Sequence, residues 1–263
     1  MTLLSPTGTC TLVGAGPGDP ELLTLKAVKA IRRASVLFVD DLVNEDVLGY
    51  ARPGARIVHV GKRGGCRSTP QAFIEKLMIA AVREGEDVVR LKGGDPFIFG
   101  RGGEEVEHLR EAGIEATVVN GITAGLAAVT SLGVPLTHRD HAQGVVFVTG
   151  HAKTGAGSTE NPTDWRALAA AVREARLTLV IYMGVAGAAH LQRELLHGLP
   201  GDTRAAVIQD ASLPRQRHVA TTLAKLQEDI ARARLGSPAV IVIGDVLRGL
   251  AAAGSLPRQA AAR

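Results

Sequence analysis

Aromatic side chains are scarce in this sequence of 263 residues, of which they make up 3%. Proteins that bind single-stranded nucleic acid stack the bases on aromatic rings, so this scarcity argues against that class of protein. The net charge of +4 at pH 7 is only mildly basic, and an ordinary surface excess of Lys and Arg explains it. An anionic small molecule is the more specific partner that such a charge favours.

The sequence also lacks the patterns of disulfide frameworks, metal sites and membrane segments. Its two cysteines, Cys10 and Cys66, stand far apart without paired spacing, and no ligand set completes a metal site around His138 and His141. Residues 1–10 lack the charged start and apolar core of a signal peptide, and no apolar run approaches the about 20 residues that a membrane helix needs. We therefore expect a cytoplasmic protein without a metal or a membrane contact.

Short apolar runs alternate with amphipathic segments, which is typical of α/β architecture with largely parallel strands. The predicted strands of the first half are Thr9–Val13, Val36–Val39, Arg56–Val60, Asp87–Leu91 and Ala116–Val119. Those of the second half are Val145–Thr149, Leu179–Met183, Ala205–Gln209, Val219–Thr222 and Ala239–Ile243. The break at Asn120-Gly121 predicts two α/β domains, residues 1–120 and 121–248, and the Ala-rich residues 249–263 are expected to form a disordered tail.

The segment Thr69–Arg83 predicts a helix. Thr69 is a typical helix cap, and Pro70 is suited to the first turn. The periodicity places five apolar side chains on one face, namely Phe73, Ile74, Leu77, Met78 and Ala81.

A glycine-rich loop, Gly14-Ala15-Gly16-Pro17-Gly18-Asp19-Pro20, follows the first predicted strand. A nicotinamide dinucleotide site requires Gly-x-Gly-x-x-Gly leading directly into a helix that holds the pyrophosphate. Here Asp19 occupies the position of the third glycine, where its carboxylate would repel phosphate, and Pro17 and Pro20 interrupt the start of the helix. A nicotinamide-dependent oxidoreductase is therefore only a distant alternative.

The run Lys92–Glu105 points most clearly to a functional site. The strand before it breaks off into Gly93-Gly94-Asp95-Pro96, where glycine permits positive φ and a close approach of the backbone. Arg101 and the pair Glu104-Glu105, which opens a helix, follow closely. Few basic residues lie at the turn, so a cationic ligand fits it better than a phosphate.

Six segments carry a family resemblance: Leu12–Ala27, Gly61–Gly65, Leu91–Glu105, Gly121–Gly125, Thr137–Arg139 and Tyr182–Gly184. In this order they resemble the tetrapyrrole (corrin/porphyrin) methyltransferases, over a region from Thr9 to Leu247. The resemblance implies two α/β domains of the tetrapyrrole methylase type, a cleft between them that binds S-adenosyl-L-methionine, release of S-adenosyl-L-homocysteine, and a homodimer.

The implied reaction methylates uroporphyrinogen III at C2 and then at C7, giving precorrin-2 by way of precorrin-1. Precorrin-2 feeds the synthesis of sirohaem, haem d1 or cobalamin. A methylase that acts on a later corrin-pathway intermediate (a precorrin) is the alternative within the same family.

The resemblance also implies roles for individual residues. Residues expected to contact the methyl donor are Pro17, Gly93, Gly94, Asp95, Ile98, Thr123, Ala124 and Met183, with Ala211 and Ala239 as weaker placements. Met183 could instead be a core residue that ends a strand. The substrate bears eight carboxylates, which arginine pairs with bidentately and lysine as a point charge. Lys62, Arg63 and Arg139 are the candidates to bind them, together with Arg101.

By the same resemblance, Arg101, Glu104 and Asp40 manage charge and proton transfer. Arginine is effectively always protonated, so Arg101 is expected to orient the substrate and clamp it electrostatically. Either Glu104 or Asp40 is then expected to accept the proton. Glu104 could also serve as a carboxylate that stabilises the N-terminus of its helix. The neighbouring pair Asp40-Asp41 leaves the register of this match open by one residue.

Overall fold

Ten strands alternate with helices in the computed structural model, which describes residues 8–61, 70–150 and 163–250. The predicted site residues Lys62 and Arg63, the predicted cap Thr69 and residues 251–263 of the predicted tail lie outside these described residues. The chain divides into two compact units, Met1–Ala124 and Gly125–Arg263. The predicted domain boundary between residues 120 and 121 stays a prediction.

The described helices and strands follow the predicted order closely. The first unit contains β1 (Thr9–Gly14), α1 (Leu25–Arg33), β2 (Val36–Val39), β3 (Arg56–His59), α2 (Gln71–Arg83), β4 (Asp87–Lys92), α3 (Gly102–Glu111) and β5 (Ala116–Val119). Then follow α4 (Ala124–Thr130), β6 (Gly144–Thr149), α5 (Trp165–Glu174), β7 (Leu177–Tyr182), α6 (Ala188–Leu195), β8 (Arg204–Gln209), β9 (Arg217–Thr222), α7 (Leu226–Arg232) and β10 (Ala239–Ile243). Among all the helices in the described residues, none is both long and apolar enough to cross a membrane.

The first unit is built on a parallel sheet with strand order β3-β2-β4-β1-β5. Because all five strands run in the same direction, the loops that follow them emerge at one edge. In open α/β sheets, ligands bind at this carboxyl edge. The edge carries the residues after β1, β2, β4 and β5, and most of the site residues predicted in the first half follow one of these strands.

The two faces of this sheet are covered by different helices. Leu12 of β1 packs with Met78 of α2 and Leu109 of α3, whereas its neighbour Val13 packs with Ile31 of α1. Successive strand residues point to opposite faces of a sheet, so covering both faces explains why these strands are nearly continuous apolar runs.

The second unit has a mixed sheet with strand order β6-β7-β10-β8-β9. Only β6 and β7 pair in parallel, while β10 runs antiparallel to β7 and β8, and β8 runs antiparallel to β9. The prediction of largely parallel strands is therefore wrong for this unit. The link between β8 and β9 is too short for a helical crossover, so these strands form an antiparallel pair.

Helix α2 differs from its prediction at one position. Ile74, Met78 and Ala81 are buried as predicted, but Phe73 is 53% exposed, and Glu75 is buried in its place. Glu75 faces α3, where one carboxylate oxygen lies 2.8 Å from Nδ1 of His108. A buried charge needs a partner, and this ion pair explains why a carboxylate occupies the inner face.

The Glu75–His108 pair predicts a pH-dependent stability. The hydrogen bond to Glu75, and then the charge of that carboxylate, raises the pKa of His108 above 6.5. The stabilisation is therefore complete below pH 6.5 and is lost as the pH rises through the raised pKa of the folded state. We expect His108→Gln to lower the melting temperature more at about pH 6 than at about pH 9, as measured by circular dichroism. Equal losses at both pH values would contradict this assignment.

Candidate active site

Three loops meet at the carboxyl edge of the first sheet. The loop after β1 pairs with the loop after β4, because the Gly94 N–H donates to the Gly16 carbonyl at 2.7 Å and the Gly16 N–H donates to the Gly94 carbonyl at 3.2 Å. The loop after β5 joins them through Gly121, whose Cα lies close to Gly14 and Gly94. The predicted glycine turns therefore form a single structure.

The contact between these loops is tight enough to require glycine. A Cβ added to Gly121 would lie 2.2 Å from the Gly94 carbonyl oxygen, and one added to Gly14 would lie 2.5 Å from the Gly121 nitrogen. Side chains do not approach backbone atoms so closely, so the missing side chains are what allow the loops to cross. Gly14 and Gly121 thus serve the packing of these loops.

Asp95 joins the loops after β4 and β5 through hydrogen bonds. Its carboxylate accepts hydrogen bonds from the Phe97 N–H at 2.8 Å, from the Asn120 side-chain amide at 3.1 Å and from the Gly121 N–H at 3.1 Å. With 7% of its surface exposed, Asp95 is buried. The carboxylate therefore positions the loops after β4 and β5, while its contact with a methyl donor stays a prediction.

The predicted donor residues around Asp95 share this edge. Pro17 and Gly93 are half-buried, Thr123 is buried, and Ile98 lies in the exposed turn before α3. Gly94 has φ of +67°, and a Cβ added there would come no closer than 3.8 Å to Thr123 and 3.9 Å to Ala124. A side chain at Gly94 would therefore be in van der Waals contact with two further predicted donor residues, Thr123 and Ala124.

Arg101 and Glu104 form an exposed ion pair at the start of α3. Nε of Arg101 donates to Oε1 of Glu104 at 3.0 Å and to Oε2 at 3.1 Å. The hydrogen bond to Glu104 raises the pKa of Arg101 further, so the guanidinium stays charged. The side chains are 55% and 47% exposed, which leaves both open to a ligand.

The turn before Arg101 exposes Phe97 and Phe99, which were not predicted for the site, on either side of the predicted donor residue Ile98. Phe97, Ile98 and Phe99 are 53%, 36% and 41% exposed. Two of the five phenylalanines of the whole chain therefore lie in one exposed turn. The scarcity of aromatics elsewhere is the signal that could have identified them.

A buried charge cluster beneath the loops was also missed. Glu105 of α3 accepts from Nε of Arg90 at 3.0 Å and lies 3.0 Å from Nζ of Lys92, and all three residues are at most 2% exposed. The Nη2 atom of Arg90 lies 3.7 Å from Oδ2 of Asp40, which directly follows β2. The sequence signal for this cluster was the presence of two charged residues, Arg90 and Lys92, in the buried strand β4.

The same cluster affects Cys10 of β1. Burial, and then the charge of Glu105, raises the pKa of the Cys10 thiol to about 12. A protonated buried thiol is a poor nucleophile and a poor metal ligand. Among the residues described, no group of three His, Cys, Asp or Glu side chains is arranged to hold a metal ion.

The predicted donor residues of the second unit share one edge of its sheet. Met183 follows β7, Ala211 lies just beyond β8, and Ala239 begins β10, which runs antiparallel to both strands. Met183 is 50% exposed with φ of +53°, so it is not the core residue considered as its alternative. Arg139 lies exposed in the connection before β6.

Comparison with known proteins identifies relatives along most of the chain. The model of the family Tetrapyrrole (Corrin/Porphyrin) Methylases matches residues 9–227. A uroporphyrinogen-III C-methyltransferase of Pseudomonas aeruginosa is 53% identical over 244 residues, which are 92% of this chain and 96% of that protein.

Solved structures give the same result. Uroporphyrin-III C-methyl transferase from Thermus thermophilus, complexed with S-adenyl homocysteine, is 40% identical with a TM-score of 0.76, over 92% of this chain and 99% of that one. Cobalt precorrin-4 methyltransferase, a cobalamin biosynthetic enzyme, is 27% identical with a TM-score of 0.78, over 92% of this chain and 97% of that one. The predicted α/β fold and the predicted family are thereby confirmed.

The crossing of the loops predicts a strong effect at Gly121. We expect Gly121→Ala to lower the free energy of unfolding by about 1–3 kcal/mol, because backbone atoms that cannot move aside surround the new methyl group. Urea denaturation measures this. The matched control is Gly49→Ala, whose added Cβ meets no atom within 4 Å and should change stability by less than about 0.5 kcal/mol. Equal losses in both variants would show that the crossing is not tight.

Proposed function

Because the chain belongs to the tetrapyrrole (corrin/porphyrin) methylase family, we propose that it is an S-adenosyl-L-methionine-dependent methyltransferase that acts on uroporphyrinogen III. It methylates C2 and then C7, giving precorrin-1 and then precorrin-2, which leads to sirohaem, cobalamin or haem d1. The observation that carries this proposal is the 53% identity to a uroporphyrinogen-III C-methyltransferase, almost all of which this chain covers.

The site residues of the first unit fit the methyl donor. The backbone of Gly94 lies near Thr123 and Ala124, and bare backbone at a glycine permits a close approach of a ligand. We propose that these residues hold the donor together with Pro17 and Gly93, and that Asp95 keeps their loops in place. The longer set of proposed donor contacts includes Ile98, Met183, Ala211 and Ala239. When bound, S-adenosyl-L-methionine supplies an electrophilic methyl group.

Exposed apolar and cationic groups beside the loops suit the substrate. Phe97 and Phe99 offer apolar surface to a macrocycle, and aromatic side chains stack on flat rings. The guanidinium of Arg101 can pair with a substrate carboxylate while it keeps its own charge. Arg139 is exposed and available for a second carboxylate. Lys62 and Arg63 complete the proposed set. Holding the reacting carbon in line with the methyl group supplies much of the acceleration.

Proton removal is assigned to Asp40. Both carboxylate oxygens of Glu104 accept hydrogen bonds from Arg101, which favours a role for Glu104 in orienting the guanidinium. The Asp40 side chain is 35% exposed at the carboxyl edge and lies next to the buried Arg90. A partly exposed carboxylate beside a cation is within reach of a ligand.

The alternative within the family is a methylase of a later corrin intermediate. The fold does not separate the two, since the TM-scores to cobalt precorrin-4 methyltransferase and to the Thermus enzyme are 0.78 and 0.76. Sequence identity does, at 27% against 40%. We further propose that the protein works as a cytoplasmic homodimer, and light scattering after gel filtration tests its mass.

Incubation of the purified protein with S-adenosyl-L-methionine and enzymatically generated uroporphyrinogen III tests the function. We expect the precorrin-2 chromophore and release of S-adenosyl-L-homocysteine. A parallel reaction supplied with precorrin-2 should consume no donor. Turnover only in the second reaction would favour the alternative, and consumption of donor in neither would refute both.

Gly94→Val should block the donor. We expect the affinity for S-adenosyl-L-homocysteine, measured by calorimetry, to fall by more than about tenfold, because the new side chain stands beside Thr123 and Ala124, where we propose that the donor binds. Gly54→Val is the matched control, since Gly54 has φ of +84° and a Cβ added there meets no atom within 4 Å. It carries the same backbone strain away from the loops and should bind normally. Equal affinity in the two variants would place the donor elsewhere.

Arg101→Ala should impair turnover rather than donor binding. We expect kcat to fall by about a hundredfold, since a preorganised charge at the reacting centre is lost. The affinity for S-adenosyl-L-homocysteine should change by less than about twofold, because Arg101 is placed on the substrate. Arg110→Ala is the control, as Arg110 is exposed on the same helix. A normal kcat in Arg101→Ala would remove Arg101 from the mechanism.

A further inference from the structure

The cluster of Arg90, Lys92 and Glu105 is the largest concentration of charge in the described interior. Glu105 is fully buried, and both of its cationic partners are 2% exposed. Its Oε1 atom accepts from Nε of Arg90 at 3.0 Å, from Nζ of Lys92 at 3.1 Å and from the side-chain amide of Gln71 at 2.8 Å. A single carboxylate thus organises three donors from two other elements, α2 and β4.

Such a cluster is costly to build. Removing ions from water carries a large desolvation penalty, and well-packed apolar residues often give equal or greater stability. Arg90 shares its sheet face with Leu12, its partner in the register, so an apolar side chain would suit the position. Stability alone therefore does not account for charged residues at this position.

Arg90 connects Glu105 to the carboxyl edge. One of its terminal nitrogens donates to the Phe38 carbonyl at 3.3 Å and to the Leu91 carbonyl at 3.4 Å, and the other lies 3.7 Å from Oδ2 of Asp40. Each side of the guanidinium therefore has a defined partner. This planar group spans two carboxylates, one buried on α3 and the other partly exposed after β2.

We propose that Glu105 and Arg90 are positioning residues that hold the Asp40 carboxylate in its reactive orientation. Glu105 fixes the plane of the guanidinium, and the guanidinium fixes Asp40. The inference deepens the proposed function and rests on it, because Asp40 is the proton acceptor assigned there. Neither Glu105 nor Arg90 reaches the ligand, since both are buried.

Lys92 gives the cluster tolerance to a change of charge. Burial, and then the nearby charge of Arg90, lowers the pKa of Lys92. The charge and the hydrogen bond of Glu105 act to raise the pKa of Lys92, so removal of the Glu105 charge favours the neutral amine of Lys92. A variant such as Glu105→Gln should therefore fold.

Arg90→Lys is the most direct variant. It keeps the buried positive charge, but one ammonium group cannot pair in a plane with two carboxylates on opposite sides. We expect kcat for methylation of uroporphyrinogen III to fall by about tenfold or more, since small misplacements of a catalytic group are costly. KM and the affinity for S-adenosyl-L-homocysteine should change by less than about twofold, because the donor loops remain intact.

Glu105→Gln is the second variant, and Glu75→Gln is its control. Glu75 is also a buried carboxylate in an ion pair that involves α3, but no described contact joins it to Arg90 or Asp40. Glu105→Gln should lower kcat as Arg90→Lys does, whereas Glu75→Gln should keep kcat within about twofold. Melting temperatures of all variants, measured by circular dichroism, separate a loss of stability from a loss of positioning.

A double-mutant cycle with Asp40→Asn provides a signature that a merely structural role would not give. If Arg90 acts through Asp40, Arg90→Lys should cost much less in the Asp40→Asn background than in the wild type. Additive losses, or a kcat in Arg90→Lys and Glu105→Gln equal to that of Glu75→Gln, would overturn the inference. Because the wild-type enzyme is assayed first, such a result leaves the proposed function standing, whereas a wild type that makes no precorrin-2 refutes both.

Discussion

The close crossing of three loops is the constraint on which the site depends. Gly14 and Gly121 bring the ends of β1, β4 and β5 so near that neither glycine could carry a side chain, and the Asp95 carboxylate joins the loops after β4 and β5 by hydrogen bonds. This arrangement exposes bare backbone at the carboxyl edge of a parallel sheet. The residues proposed to contact the donor and the exposed turn before α3 lie next to this crossing.

The site combines a rigid interior with an open surface. Beneath the loops, Glu105 and Arg90 are buried and mutually paired, whereas Arg101 and the phenylalanines of the preceding turn are exposed. A methyl transfer to carbon requires that the protein align the two reactants and remove one proton. Rigid support under an accessible edge meets both requirements, and it explains why charged residues occupy a strand that packing alone would leave apolar.

Strand positions could be read from the sequence, but strand directions could not. Each predicted strand is present in the described residues with small shifts at its ends, because apolar runs report burial locally. Whether β8 and β9 pair in parallel depends on the length and path of their connection. The placement of Phe73 on the buried face was wrong, and the burial of Glu75 was missed, because the sequence did not show that His108 lies opposite Glu75. Likewise, the charge cluster could not be predicted from Arg90 and Lys92, because the sequence did not show that Glu105 of α3 pairs with both. The predicted site residues 62 and 63 lie outside the described ranges.

A crystal structure of the protein with bound S-adenosyl-L-homocysteine tests the central claim most directly. Its ligand should lie against the backbone of Gly94, in contact with Thr123 and Ala124, with its sulfur directed toward the space near Arg101 and Asp40. Density for the ligand at any other place, with the edge formed by the loops after β1, β4 and β5 left free, would contradict the claim.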